Sequence, residues 1–180
     1  MIAQFPIRFD QALTGLCLVG LAGAGAPATA GTVELVASRP LDFGAIVVLG
    51  SGSKQIAPDG TVSNNGLVSV SGPRQGPAEF TLTYRPDSQT RRAVVQISVT
   101  STAAQSSNGS VGTLAGLTSD LSGIGALQAG ASRVVTLAPC PPPQCDTVFH
   151  IGGELTVSGG SQQATFTFPV QVTARLLAEL

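Results

Sequence analysis

The residues able to do chemistry are few, and their spacing sets what each can do. Cys140 and Cys145 stand in "PCPPPQC" with four residues between them. In an exported chain such a pair forms a local disulfide. Zinc needs four ligands, and the chain offers one histidine, His150, and no second cysteine pair. No metal and no cofactor is expected. Glu154 follows His150 at i+4, which along an extended strand is about 13 Å away and too far for a direct bond. His150 therefore reads as a surface residue. The carboxylates Asp42, Asp59, Glu79, Asp87, Asp120 and Asp146 come singly, with no spacing that pairs two for glycoside hydrolysis or clusters several for calcium. Arg85, Arg91 and Arg92 form the one basic patch. Its neighbours Phe80 and Tyr84 fall on an inward phase, so the stacking half of a nucleic-acid site is missing. No catalytic residue is assigned, and the expectation is a protein that is not an enzyme.

The elements that carry these residues alternate with period two. "ATFTFPVQVTA" places Ala164, Phe166, Phe168, Val170, Val172 and Ala174 on one face, with Pro169 on the polar phase at an edge or bulge. "TVFHIGGELTV" does the same with Phe149, Ile151, Leu155 and Val157, and "SGGSQQ" then reads as a hairpin turn. "AEFTLTY" and "RAVVQISVT" point Phe80, Leu82, Tyr84 and then Ala93, Val95, Ile97, Val99 inward, with "RPDSQTR" as the hairpin between them. "TVELV", "GLVSVSG" around Val68 and Val70, and "SRVVTLA" around Val134 and Val135 complete about eight short strands, set off by the turns "APDG" and "NNG". "LDFGAIVV" is read as an opening core strand with Leu41 and Phe43 buried, Asp42 facing water and Gly44 at a bend or bulge. The small-residue stretch 101–132 is too long for a bare loop, so a strand or turn is expected within it. "NGS" at Asn108 reads as a turn. The fold class is all-β, a single antiparallel β-sandwich of Greek-key type.

Length and composition agree. Residues 1–30 hold Arg8, an apolar run ending "AGAGA", and the small-x-small triplet Ala28-Thr29-Ala30, the pattern of a cleaved signal peptide. Residues 31–180 then make one domain, large enough to bury a core. Without Arg8 and Asp10 the remaining chain keeps the net charge of −1, scattered along its length. Neither a polyanion partner nor membrane insertion of the mature chain is implied.

Four motifs occur in order: "LDFGAIVV" (41–48), "IAPDGTVSNNG" (56–66), "GPAEFTLT" (76–83) and "FHIGGELTVSGG" followed by "ATFTFPVQVTA". This resembles a family of exported Gram-negative domains of unknown function, marked by a Leu-x-Phe-Gly strand, a Pro-Asp-Gly turn, a Pro-Ala-x-Phe strand and a Gly-Gly-x-Leu-x-Val hairpin. On that resemblance Leu41, Phe43, Gly44, Phe80, Leu155 and Val157 are the core of the family motif. The chain departs from it in "PCPPPQC", in "RPDSQTRR" and in its "LLAEL" end, where a tyrosine-containing pattern is expected. The resemblance further implies a secreted sandwich without catalytic residues, Ig-like or pilin-like in outline and similar to fimbrial subunits of chaperone-usher pili. Such subunits polymerise by donating an alternating N-terminal strand, for which Val33 and Leu35 are the candidates here. The implied partners are identical or related subunits and a periplasmic chaperone. The implied location is the periplasm, the outer cell surface or an extracellular fibre. A monomeric carbohydrate-binding module, using the 101–132 stretch and the disulfide loop as its contact face, is the alternative.

Overall fold

The computed structural model describes residues 31–70, 74–101, 104–159 and 162–180; the leader expected over residues 1–30 lies outside them. Every described element is a strand, as period-two alternation dictates: apolar side chains on one face leave one sheet surface to be buried. In β4 (Ala78–Arg85) Ala78, Phe80, Leu82 and Tyr84 are buried, and in β5 (Ala93–Ser101) so are Ala93, Val95, Ile97 and Val99. β10 (Cys145–Ser158) buries Phe149, Ile151, Leu155 and Val157. These faces meet in one core. Phe80 and Phe149 are register partners whose rings stack at 5.4 Å, and Phe43 meets Phe168 edge-on at 5.9 Å.

Among the described residues twelve strands form two antiparallel sheets, more than the eight or so expected. Three of the extra ones come from the 101–132 stretch, where β6 (Ala104–Ser107) and β7 (Ser110–Ser119) form a hairpin and β8 (Gly125–Leu127) pairs back on β7, and the fourth from the division of "ATFTFPVQVTA" at Pro169. Asn108 and Gly109, both at positive φ, make its two-residue turn. The larger sheet runs β1 (Thr32–Arg39), β4, β10, β2 (Leu41–Ile56), β11 (Gln163–Phe168). β3 (Val62–Val70) flanks β2, and β7 flanks β10. The smaller sheet is β12 (Val170–Glu179), β5 and β9 (Ser132–Thr136).

Two expectations about connections are corrected by this topology. The segment at 158–162 is no hairpin: β10 pairs Gly153–Val157 with the second half of β2, and β11 pairs Gln163–Phe168 with the first half. A 16-residue β2 has backbone edge enough to hold both strands end to end, so the chain continues in one direction. Pro169 stands at an edge, as expected, between β11 and β12, each the terminal strand of its sheet, and it is not a bulge within one strand. It is the crossing between sheets, with Phe168 paired to Leu41 and Val170 paired to Ser101; its missing N–H makes it a residue that neither ladder must satisfy. Likewise "RPDSQTR" connects β4 to β5 across the two sheets, so it is not a hairpin tip. "NNG", expected as a turn, lies inside β3: Asn64 and Asn65 pair with Lys54 and Ser53, and the bulge opposite Gly66 is made by residues 49–52 of β2. Val68, Val70 and Val134 mark their strands but are exposed; Leu67 and Val135 are the inward residues.

Candidate functional site

The family-motif residues divide by depth. Leu41, Phe43, Leu155 and Val157 are fully buried, Phe80 almost so, and Gly44 takes φ +68° at the bulge where β2 meets β11. Asp42, expected to face water, is half-buried; its Oδ1 accepts the Gly44 N–H at 2.7 Å, and its main chain bridges Gly76 in both directions. Beside it lies Lys54, the single lysine of the chain, with no exposed surface. Its ammonium donates to the Phe43 carbonyl and to Gln75 Oε1, each at 2.7 Å. Burial lowers its pKa and the Asp42 carboxylate opposes that shift.

The polar edges of the same motifs converge on one open cleft of about 370 Å³, at the end of the sandwich where β1 stops and β2 turns into β3. Arg39, the turn Pro58-Asp59-Gly60, Gln75-Gly76-Pro77, Asp120 and His150 line it. The turn is closed by Gly60 N–H to Ala57 and by Thr61 N–H to Asp59 Oδ1, and that second bond holds the Asp59 carboxyl below its usual pKa. Gly152 of "FHIGG" lets β10 pass under this turn, since a Cβ there would lie 2.2 Å from the Ile56 carbonyl oxygen. Arg39 donates from Nε to the Pro77 carbonyl.

His150 is no plain surface residue. Asp120 Oδ1 accepts its main-chain N–H at 2.6 Å, Asp120 Oδ2 meets Nδ1 at 2.8 Å, and Glu79 Oε2 stands 3.6 Å from Nε2. Glu79 in turn lies 3.9 Å from Arg39. Sequence spacing brought no two carboxylates together, yet the fold brings Asp120 and Glu79 to one imidazole, because β4 and β10 pair His150 with Glu79 in register. That pairing had a sequence signal, in that "AEF" and "FHI" are cross-strand neighbours once the two phenylalanines stack. Chemically, both ring nitrogens face carboxylates. A nucleophilic triad needs a hydroxyl or thiol on the nitrogen that Glu79 occupies. The arrangement instead ties β1, β4, β10 and the segment after β7 together, and offers a small polar ligand both donors and acceptors.

The second candidate region is the edge strand β1. It pairs with β4 alone, in a register of Val33 with Tyr84 and Leu35 with Leu82. Val33 and Leu35 are only half-buried, and Val36 on the other face is 51% exposed. Among the described residues the outer edge of β1 has no backbone partner.

Cys140 and Cys145 are joined by a disulfide. It lies near the start of β1: Cys145 pairs with Tyr84, and Cys140 bridges Arg91. The basic patch is largely neutralised, with Arg85 on Glu34 at 3.0 Å and Arg91 3.9 Å from Asp87. The disulfide loop stands at the start of β10 and the β6–β7 turn, which meets Gly159, at its end. No helix among the described residues is long and apolar enough to cross a membrane.

Residues 28–175 match the family model described as Domain of unknown function (DUF4402), and the chain belongs to that family. Neither the curated proteins nor the solved structures contain a match to it.

Proposed function

We propose that this DUF4402-family chain is an exported, non-enzymatic structural or adhesive subunit that assembles by exchanging β1 between copies, in the manner of fimbrial strand complementation. The observation that carries the reading is the contrast at β1: an N-terminal edge strand, backbone-paired with one neighbour and half-buried, lies on a β4 whose own inward face is fully buried. Detaching such a strand opens a backbone edge on β4 that a second copy of the same strand matches residue for residue. A disulfide and the leader-like residues 1–30 fit passage through an oxidising compartment. Identical subunits are the proposed partners, with a periplasmic chaperone covering β4 until β1 of a neighbour arrives.

The test uses the chain from Gly31 onward and the same chain lacking residues 31–39. Addition of a peptide of residues 31–39 to the shortened chain should restore its stability, and the longer chain should form concentration-dependent oligomers. A chain that stays monomeric at high concentration, with a shortened form indifferent to the peptide, ends the proposal.

A second reading is a monomeric binding module for a hydroxyl-rich ligand such as a surface sugar. The convergence of Arg39, Asp59, Asp120 and His150 on the motif cleft favours it. Titration of mono- and oligosaccharides into the Asp59→Ala and Asp120→Ala variants would separate the two readings, since neither residue lies on β1 or β4 and strand exchange should survive both changes.

A further inference from the structure

Glu179, the last residue of β12, holds an arrangement that neither strand exchange nor the cleft uses. Its Oε1 accepts the Tyr84 hydroxyl at 2.5 Å, and its Oε2 accepts from the Gly31 main-chain nitrogen at 3.1 Å. The tyrosine ring is buried in the core. Among the described residues, no arginine, lysine or histidine forms an ion pair with Glu179. A carboxylate partly withdrawn from water and bonded only to neutral donors is poorly compensated.

Position 31 is also sterically closed. A Cβ there would stand 2.1 Å from Glu179 Oε1 and 2.8 Å from the Arg85 carbonyl oxygen, so glycine alone lets the nitrogen reach the carboxylate. The triplet Ala28-Thr29-Ala30 directly before it has the small-x-small form that export peptidases cut.

We propose that cleavage after Ala30 converts the Gly31 nitrogen into an α-ammonium, and that Glu179 and Tyr84 capture it as an ion pair that fastens the start of β1 to the end of β12. In the cleavage, water adds across the Ala30–Gly31 amide: the hydroxyl goes to the Ala30 carbonyl carbon, and the released amine takes up a proton. Before cleavage the same nitrogen is a neutral amide and Glu179 lacks its counterion. After it, a charge-assisted bond, roughly twice as strong as a neutral one, closes the site. Processing thereby sets how firmly β1 is seated, whether or not copies exchange it.

Lys54 is the single lysine and is buried, which makes the α-amine the one amine open to acylation in the folded chain. The full chain is to be expressed with export, its N-terminus read by intact mass and sequencing, and the folded product treated with an acetylating succinimidyl ester. Expected are a chain beginning at Gly31 and an α-amine that acetylates about tenfold or more slowly than that of a free peptide of residues 31–39, because a carboxylate at bonding distance holds it protonated. Glu179→Gln should restore the peptide rate, while Tyr84→Phe, which keeps the carboxylate, should retain most of the protection. A chain beginning one residue earlier, at Ala30, should label at the peptide rate even if Glu179→Gln fails to fold. A mature chain starting elsewhere, or a Gly31 amine that labels as fast as the peptide, overturns the proposal; so does protection that survives Glu179→Gln or the Ala30 extension.

Discussion

β1 and the first half of β2 are consecutive in the chain and alternate in the same way, yet they differ in depth. Leu41, Phe43, Ile46 and Val48 have no exposed surface, whereas Val33 and Leu35 are half-buried. The difference lies in neighbours. β2 has β3 along one edge and β11, then β10, along the other, while β1 has β4 alone. Alternation says which side faces the core; the number of flanking strands says how far in a residue sits. A central strand and an edge strand can therefore look alike in sequence.

The comparison can be broken by mutation. Phe43→Ala removes a ring packed on Phe168 inside β2, and an equilibrium denaturation curve should show a loss of about 3–5 kcal/mol. Leu35→Ala in β1 should lose nearer 1 kcal/mol, because its side chain is only half withdrawn from water. Equal losses would make β1 as integral as β2. Replacing Cys140 and Cys145 together by serine opens a short loop beside the β1 end of the sheet and should lower stability by about 2 kcal/mol or less, read as a modest fall in Tm with the fold retained.

Alkaline titration sharpens the same contrast. In β2 the Lys54 pKa is lowered, so below 10.5 and above the depressed folded value the unfolded chain binds the extra proton and stability rises with pH. Beside β1 the Tyr84 pKa is raised, first by burial and then by Glu179, so above pH 10 the unfolded chain releases a proton the folded chain keeps, and stability falls. Lys54→Met should flatten the rise and Tyr84→Phe the fall, as measured by Tm across pH 8 to 11. The smallest effect belongs to the cleft. Asp120→Asn weakens an exposed contact to His150 and should change stability by about 1 kcal/mol or less, while the amide of His150 exchanges faster by NMR.

The all-β class, the inward residues of β4, β5 and β10, the disulfide and the turn at Asn108 were legible because each rests on local periodicity or local chain geometry. The partners were not. Phe168 and Val170 sit in one alternating run, and nothing in that run says that the strands around Pro169 serve different sheets. His150 looked solitary because Asp120 lies 30 residues away and Glu79 further still, and only the β4–β10 register unites them. Depth was illegible for the same reason: Val68 and Leu67 differ by which neighbour covers them, a property of the sheet and not of the residue.

The central claim is that β1 can leave its own β4 for that of another copy, and cross-linking between copies tests it most directly. Val36 and Thr81 are register partners on the outer face, and in the chain from Gly31 onward, which lacks Cys17, the two native cysteines are already bonded to each other. Val36→Cys chains mixed with Thr81→Cys chains and oxidised should yield the mixed dimer well above either self-dimer, at a rate that a peptide of residues 31–39 suppresses. A mixture in which each variant stays monomeric, while the double variant closes only within its own chain, would contradict the account.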